Sequence, residues 1–216
     1  MPSPERTVGR LSLYRRLLQA EQDRGVTNVF SHQLASLAGV TAAQIRRDLT
    51  HVGYTGSPRL GYSVGELKDA IEAYLTPAGE ERLALVGVGN LGRALLDHFS
   101  GRHRRLSIEA AFDKNPEKAG RVILGCRCYP MDELEEVLRR EGIVAAIIAV
   151  PTDQAQDVAD ALMLAGVTGI LNFAPISLRT RRGVYLESND LTMAIEKVAF
   201  FAREQSTSAR MATRAR

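Results

Sequence analysis

The residues best suited to chemistry form one tight constellation. Gly87, Val88, Gly89, Asn90, Leu91 and Gly92 spell G-x-G-x-x-G directly after the apolar run Leu83–Val86 and before a helical pattern, Arg93–Phe99. That is the strand–turn–helix context the motif requires. Gly87 suits the tight turn, Gly89 lets a pyrophosphate reach the backbone, and Gly92 lets helix and strand pack closely. The unpaired N–H groups and partial positive charge at the helix start favour phosphate. A second apolar run, Leu106–Phe112, ends at Asp113, 21 residues past Gly92 (113 − 92). A carboxylate there accepts hydrogen bonds from ribose hydroxyls and repels a 2′-phosphate. NADH and NAD⁺ are therefore expected ahead of NADP(H), with the adjacent Lys114 softening the preference. A Rossmann-like fold that binds coenzyme A is the alternative, and Asp113 makes it less attractive.

A second constellation lies earlier. Ser31 can cap a short helix carrying Leu34 and Leu37, Gly39 supplies a turn, and Thr41 starts a further helix with Gln44 three residues on, as in a capping box. A short helix, a Gly-containing turn and a second helix match a helix-turn-helix. At 100° per residue Ala42, Ile45, Leu49 and Val52 face inward and Arg47 points outward. Gln44 and Arg46 stand at the edges of that outer face. Asp48 falls toward the core, where it can orient an arginine. Arginine is the side chain best matched to guanine O6 and N7 in a major groove. The stretch Gly53–Tyr62 suits a hairpin with Arg59 near its tip, a wing able to reach phosphate or the minor groove. Thr41, Gln44, Arg46, Arg47 and Arg59 are the expected DNA contacts. A helical dimerisation domain with solvated arginines is the competing reading.

The surrounding elements divide at Thr76-Pro77-Ala78-Gly79. Before it apolar residues keep helical spacing, and after it short apolar runs alternate with helical patterns. The fold class expected is an N-terminal winged helix-turn-helix (1–78) plus a C-terminal α/β Rossmann-like parallel sheet (79–188). Ile143–Val150 reads as a strand buried on both faces, ended by Pro151. A helix with Val158, Leu162 and Leu164 follows, then the strand Gly169–Phe173. Ligands in open α/β sheets bind beyond the carboxyl ends of strands, which makes Pro151, Asn172 and Phe173 candidates for the nicotinamide side. Asn189 and Asp190 can cap a last helix to about Arg203 whose apolar residues cover much of its circumference. It packs on its own domain or swaps into a second subunit (189–204), and the latter suits a two-fold DNA reader. Residues 205–216 read as a disordered basic tail.

The 216 residues, 45% hydrophobic and 25% charged, are enough for one large domain or two small ones. The net charge of +3 leans toward an anionic partner, yet residues 1–80 contribute only +1 (nine basic minus eight acidic), so DNA binding must rest on charge placement. The N-terminus has no signal-peptide core, and the longest apolar run is too short to span a membrane, so a cytoplasmic location is expected. Two cysteines, Cys126 and Cys128, are too few for a Cys-rich zinc site, and no metal is expected. Cys126-Arg127-Cys128 is compatible with a redox pair, but adjacent strand positions point to opposite faces, and both are read as ordinary. No hydride-transfer apparatus is evident: of His32, His51, His98 and His103, only His98 follows the glycines closely. That absence argues against a small dehydrogenase with an accessory helical domain.

Taken together, these motifs resemble the Rex family of redox-sensing transcriptional repressors. The resemblance runs through Arg10-Leu11, Tyr14 and Arg16, Val40–Leu49, Gly61-Tyr62, Val86–Gly92, Phe112–Lys118 and Gly169–Pro175, essentially the whole chain. It implies a homodimer that binds inverted-repeat operator DNA and is released by NADH, with NAD⁺ competing. By that resemblance Arg46 and Arg47 read the major groove and Arg59 sits in the wing. Gly87–Gly92 and Asp113 hold the cofactor, and Arg16 pairs with Asp190 of the partner subunit in a state-dependent switch. Where family members often carry Tyr, this chain has His98, a side chain that titrates near neutrality.

Overall fold

The computed structural model describes residues 5–76, 81–100 and 106–214, with side chains to residue 205. The chain divides into two compact units, Met1–Gly79 and Glu80–Arg216. Pro77, Ala78 and Gly79 of the expected boundary, and His103, lie outside the described residues.

The first unit comprises α1 (Glu5–Asp23), β1 (Asn28–Val29), α2 (Ser31–Ala38), α3 (Ala42–Val52), β2 (Tyr62–Ser63) and α4 (Val64–Leu75). Each helix delivers one apolar stripe to a shared core: Leu11, Tyr14 and Leu18 from α1, Leu34 from α2, Ile45 and Leu49 from α3, Leu67 and Ile71 from α4. The i, i+3, i+4, i+7 spacing dictates those faces. β1 and β2 pair antiparallel, with Val29 opposite Tyr62. Between α3 and β2 the chain leaves the body as a loop closed by a Ser57–Gly61 bridge, which makes the wing. Phe30, not Ser31, takes the N-cap of α2, because the Gln33 side chain reaches back to accept from the Phe30 N–H at 2.8 Å. Leu37, expected to pack, is exposed.

The second unit is a seven-stranded sheet. Its strands are β3 (Glu81–Val86), β4 (Leu106–Phe112), β5 (Val122–Ile123), β6 (Cys126–Tyr129), β7 (Ala145–Ile148), β8 (Gly169–Asn172) and β9 (Tyr185–Ser188). They lie in the order β5-β6-β4-β3-β7-β8-β9. All neighbours run parallel except the β5–β6 edge hairpin. Without the edge strand β5 the order β6-β4-β3-β7-β8-β9 is the dinucleotide-binding 3-2-1-4-5-6, with the switch point between β3 and β7. α5 (Asn90–Phe99) covers one face. α6 (Leu134–Glu141) and α7 (Thr152–Leu164) cover the other, over Val86, Phe112, Ile148 and Ile170. α8 (Leu191–Arg214) completes the chain.

Several details depart from the sequence reading. The strand expected over 143–150 is confined to Ala145–Ile148. β5 and β9 are edge strands too short to leave a periodic signal. Leu164 is 81% exposed, because α7 buries Ala155, Val158, Ala159, Leu162 and Met163, and Leu164 falls off that stripe. α8 continues past Arg203 to Arg214, through residues expected to be disordered; neither Gly nor Pro stands there to stop it. Cys126 and Cys128 are two positions apart, so they share a face and only Arg127 turns away. Both thiols are buried in the cluster under α5. Burial pushes the Cys126 thiol up to about 12 and also raises that of Cys128, which keeps both protonated.

Candidate functional site

In the second unit the glycine loop occupies the switch point. Gly87 has φ +98°, and a Cβ there would collide with the Ala149 carbonyl at the end of β7. A Cβ on Gly92 would collide with the Gly87 carbonyl. A Cβ on Gly89 would meet nothing within 4 Å. The first and third glycines are thus held by the protein itself, and the second faces open space, which leaves room for a diphosphate to lie on the backbone. Asn90 and Leu91 begin α5, whose first N–H groups have no partner within the helix. Val88 lies deeper: its side chain is fully buried.

Asp113 sits just past β4 and is 8% exposed. Its Oδ2 accepts from the Val88 N–H and from Lys118 Nζ, both at 2.8 Å, and its Oδ1 accepts from the Asn115 N–H at 2.9 Å. Burial works to raise the pKa of this carboxyl, but the Lys118 ammonium and the two backbone donors outweigh it and hold it below the usual range. The acid therefore ties the glycine loop to β4. Lys118 was missed at the sequence level, although it stands only five residues past Asp113. Lys114 is exposed.

The candidates beyond β7 and β8 separate. Pro151 is exposed and precedes α7. Phe173 is half-buried against the cluster under α5. Asn172, expected at the nicotinamide, has another task. It is fully buried, its Nδ2 donates to the Ala174 and Ile176 carbonyls at 3.0 and 3.1 Å, and its Oδ1 accepts from the Ala174 N–H. Those bonds shape the loop after β8 and leave Asn172 no donor for a ligand. Among the expected switch residues, Arg16 is exposed on α1. His98 is exposed near the end of α5, edge-on to Phe99. Asp190 caps α8, accepting from the Met193 N–H at 2.9 Å.

In the first unit, Thr41 caps α3, accepting from the Gln44 N–H at 3.1 Å. The Gln44 side chain does not complete the capping box; its Nε2 donates to Asp48 Oδ1 at 2.8 Å. Asp48 is the centre of a buried network. Arg10 grips both its oxygens at 2.7 Å from Nε and Nη2, and the Tyr14 hydroxyl donates to Oδ2 at 2.9 Å. Burial tends to raise the Asp48 pKa, yet the Arg10, Tyr14 and Gln44 donors win and lower it. The network bolts α3 to α1. No local pattern links Arg10 to Asp48, 38 residues apart, although the inward position of Asp48 was legible. Arg47 is exposed on the outer face. Arg46 is exposed too, with one Nη donating to Ser31 Oγ at 3.1 Å. Arg59 is exposed in the turn closed by Ser57 and Gly61. Among the described residues no group of three or more His, Cys, Asp or Glu is placed to hold a metal. Nor is any described helix long and apolar enough to cross a membrane.

Two protein-family models match the chain: a putative DNA-binding protein N-terminus over residues 4–50 and a CoA binding domain over residues 79–176. A protein of Carboxydothermus hydrogenoformans, named redox-sensing transcriptional repressor Rex, is 42% identical over 93% of this chain and 96% of its own. The chain belongs to the Rex family. A Streptomyces coelicolor Rex is 37% identical over 94% of this chain and 79% of its own. The crystal structure of RSP with β-NAD⁺ and operator DNA matches with a TM-score of 0.87 at 30% identity, covering 98% of this chain and 97% of RSP. RSP with β-NADH matches at 0.83 and 29% identity, covering 98% and 99%. These Rex relatives are named as repressors, not as enzymes.

Proposed function

We propose that this chain is a DNA-binding transcriptional repressor that reads the NADH/NAD⁺ ratio. It holds inverted-repeat operator DNA when NADH is scarce and lets go when its Rossmann unit takes up NADH. The observation that carries this reading is the pairing, in one chain, of a glycine loop with an open cradle at Gly89 and a recognition helix presenting Arg47 to solvent. Gly87–Gly92 and Asp113 hold the dinucleotide, with Lys114, Pro151 and Phe173 at its rim. Oxidised and reduced forms differ by a hydride and by the charge of the nicotinamide ring, which gives the protein something to discriminate. Arg47 and the wing Arg59 face the DNA.

A homodimer fits the same reading. Ile195, Val198 and Phe201 on α8 are 69%, 71% and 57% exposed, an apolar helix whose natural cover is a second copy of the chain, as in a helix swap. In that dimer Arg16 meets Asp190 of the partner subunit and transmits the cofactor state, and His98 stands where the family often has Tyr. A repressor of chromosomal operators works in the cytoplasm.

Linkage gives the test. If NADH lowers DNA affinity by some factor, DNA must lower NADH affinity by the same factor. Calorimetric titration of NADH into the free protein and into its complex with an operator duplex is expected to give weaker binding in the complex. A hundredfold ratio corresponds to about 2.7 kcal/mol of coupling. Equal affinities with and without DNA contradict the reading.

A further inference from the structure

The first unit has a groove of about 570 Å³ between α3 and the wing. Ser31, Arg46 and Thr50 line one side, and Tyr54, Ser57 and Pro58 line the other. Arg46, Leu49, Thr50 and Gly53 border it at i, i+3, i+4 and i+7, so one complete stripe of α3 is turned toward the wing. Arg47 lies outside the groove, one residue and about 100° further round the helix. The two neighbouring arginines of the recognition helix therefore have different surroundings. Arg47 stands in solvent with no partner among the described residues, whereas Arg46 is steadied by Ser31 at the groove wall.

A DNA strand's sugar–phosphate backbone is the wall between its major and minor grooves. A unit that puts a helix in the major groove and a wing in the minor groove must straddle that wall, so the space between helix and wing is where the backbone lies. We infer that the groove between α3 and the wing seats one strand's phosphodiester backbone, and that Arg46, braced by Ser31, is its phosphate clamp rather than a reader of bases. Arg46 spends one of five N–H donors on Ser31, so several remain for phosphate oxygens. Family resemblance gives Arg46 and Arg47 the same role, and this inference gives them different ones. Base discrimination then falls to Arg47, and Arg46 supplies register and salt-sensitive affinity.

The inference rests on the DNA-binding reading above, and the experiment separates the two. Full-length protein is used to select duplexes from a random pool, and affinity is measured on the selected duplex and on a scrambled one over a salt series. Arg46→Ala is expected to weaken both duplexes by the same factor and to reduce the salt slope by about 0.9 for each half-site, about 1.8 for the dimer. Arg46→Lys is expected to keep the slope and most of the affinity, because phosphate accepts a point charge where bidentate base recognition does not. Arg47→Ala is expected to shrink the gap between selected and scrambled duplexes by roughly 5- to 150-fold for each half-site. A neutral methylphosphonate placed at each linkage in turn should weaken the wild type at one clamped position and leave Arg46→Ala indifferent there. Far-UV circular dichroism establishes that the variants are folded. If Arg46→Ala and Arg46→Lys both erase base discrimination, and no linkage distinguishes the variant from the wild type, Arg46 is a base reader and the inference is overturned. A selection that enriches no sequence overturns the repressor reading itself, and the clamp with it.

Discussion

Each unit is organised around one buried aspartate, and the two do different work. Asp48 is bound by side chains only, from Arg10, Tyr14 and Gln44. It joins two helices distant in sequence. Asp113 is bound by two backbone N–H groups and one lysine, all within a few residues or across one strand end. It fixes a loop on a sheet. The first arrangement sets the angle at which a recognition helix is presented. The second sets the shape of a cradle. A binding surface of side chains needs its whole helix aimed, whereas one made of backbone needs only its loop held.

Breaking each acid sharpens the contrast. Asp48→Ala leaves Arg10 with only the Thr7 hydroxyl as a partner, takes the acceptor from the Tyr14 hydroxyl and should cost toward the lower end of ~3–5 kcal/mol, since Arg10 keeps some exposure; a chemical denaturation curve of the full chain measures it. Asp113→Ala frees Lys118, which can turn to water, and should cost less, about 1–3 kcal/mol. It should also weaken NADH, detectable by the quenching or shift of its fluorescence. A loss for Asp113→Ala larger than for Asp48→Ala would upset the comparison.

Acid offers a milder version of the same test. Both carboxyls are lowered in the folded protein. Their stabilisation is therefore complete above the unfolded value of about 3.9 and is lost as pH falls through the lower folded values. Thermal melts should show stability falling below about pH 4, with a shallower fall in Asp48→Asn. The smallest stability effect belongs to Gly89→Ala. Its φ is −81° and its Cβ position is open, so the melting temperature should hold within what ~0.5 kcal/mol allows. NADH binding should nonetheless weaken, because the added methyl fills the space meant for the diphosphate.

Legibility in the sequence followed the same division. The glycine loop, Asp113, the α5 start and the buried β3 and β7 runs could be read because a dinucleotide unit keeps its parts at fixed spacing. The inward turn of Asp48 and the outward turn of Arg47 followed from helical periodicity alone. What could not be read was non-local or too short to show a period: the Arg10 partner 38 residues away, the two-residue β5, the edge strand β9. The hydrogen bonds of Asn172 were illegible for a related reason. Its place at a strand end was right, but the loop that consumes its hydrogen bonds turns back only after Phe173.

The central claim is that the state of the cofactor unit governs DNA affinity. Fluorescence anisotropy of a labelled selected duplex bound to the full-length protein, titrated with NADH and separately with NAD⁺, tests it directly. Release by NADH at concentrations where NAD⁺ leaves the complex intact is the predicted result; a complex indifferent to both, while NADH binds the free protein tightly, would contradict it.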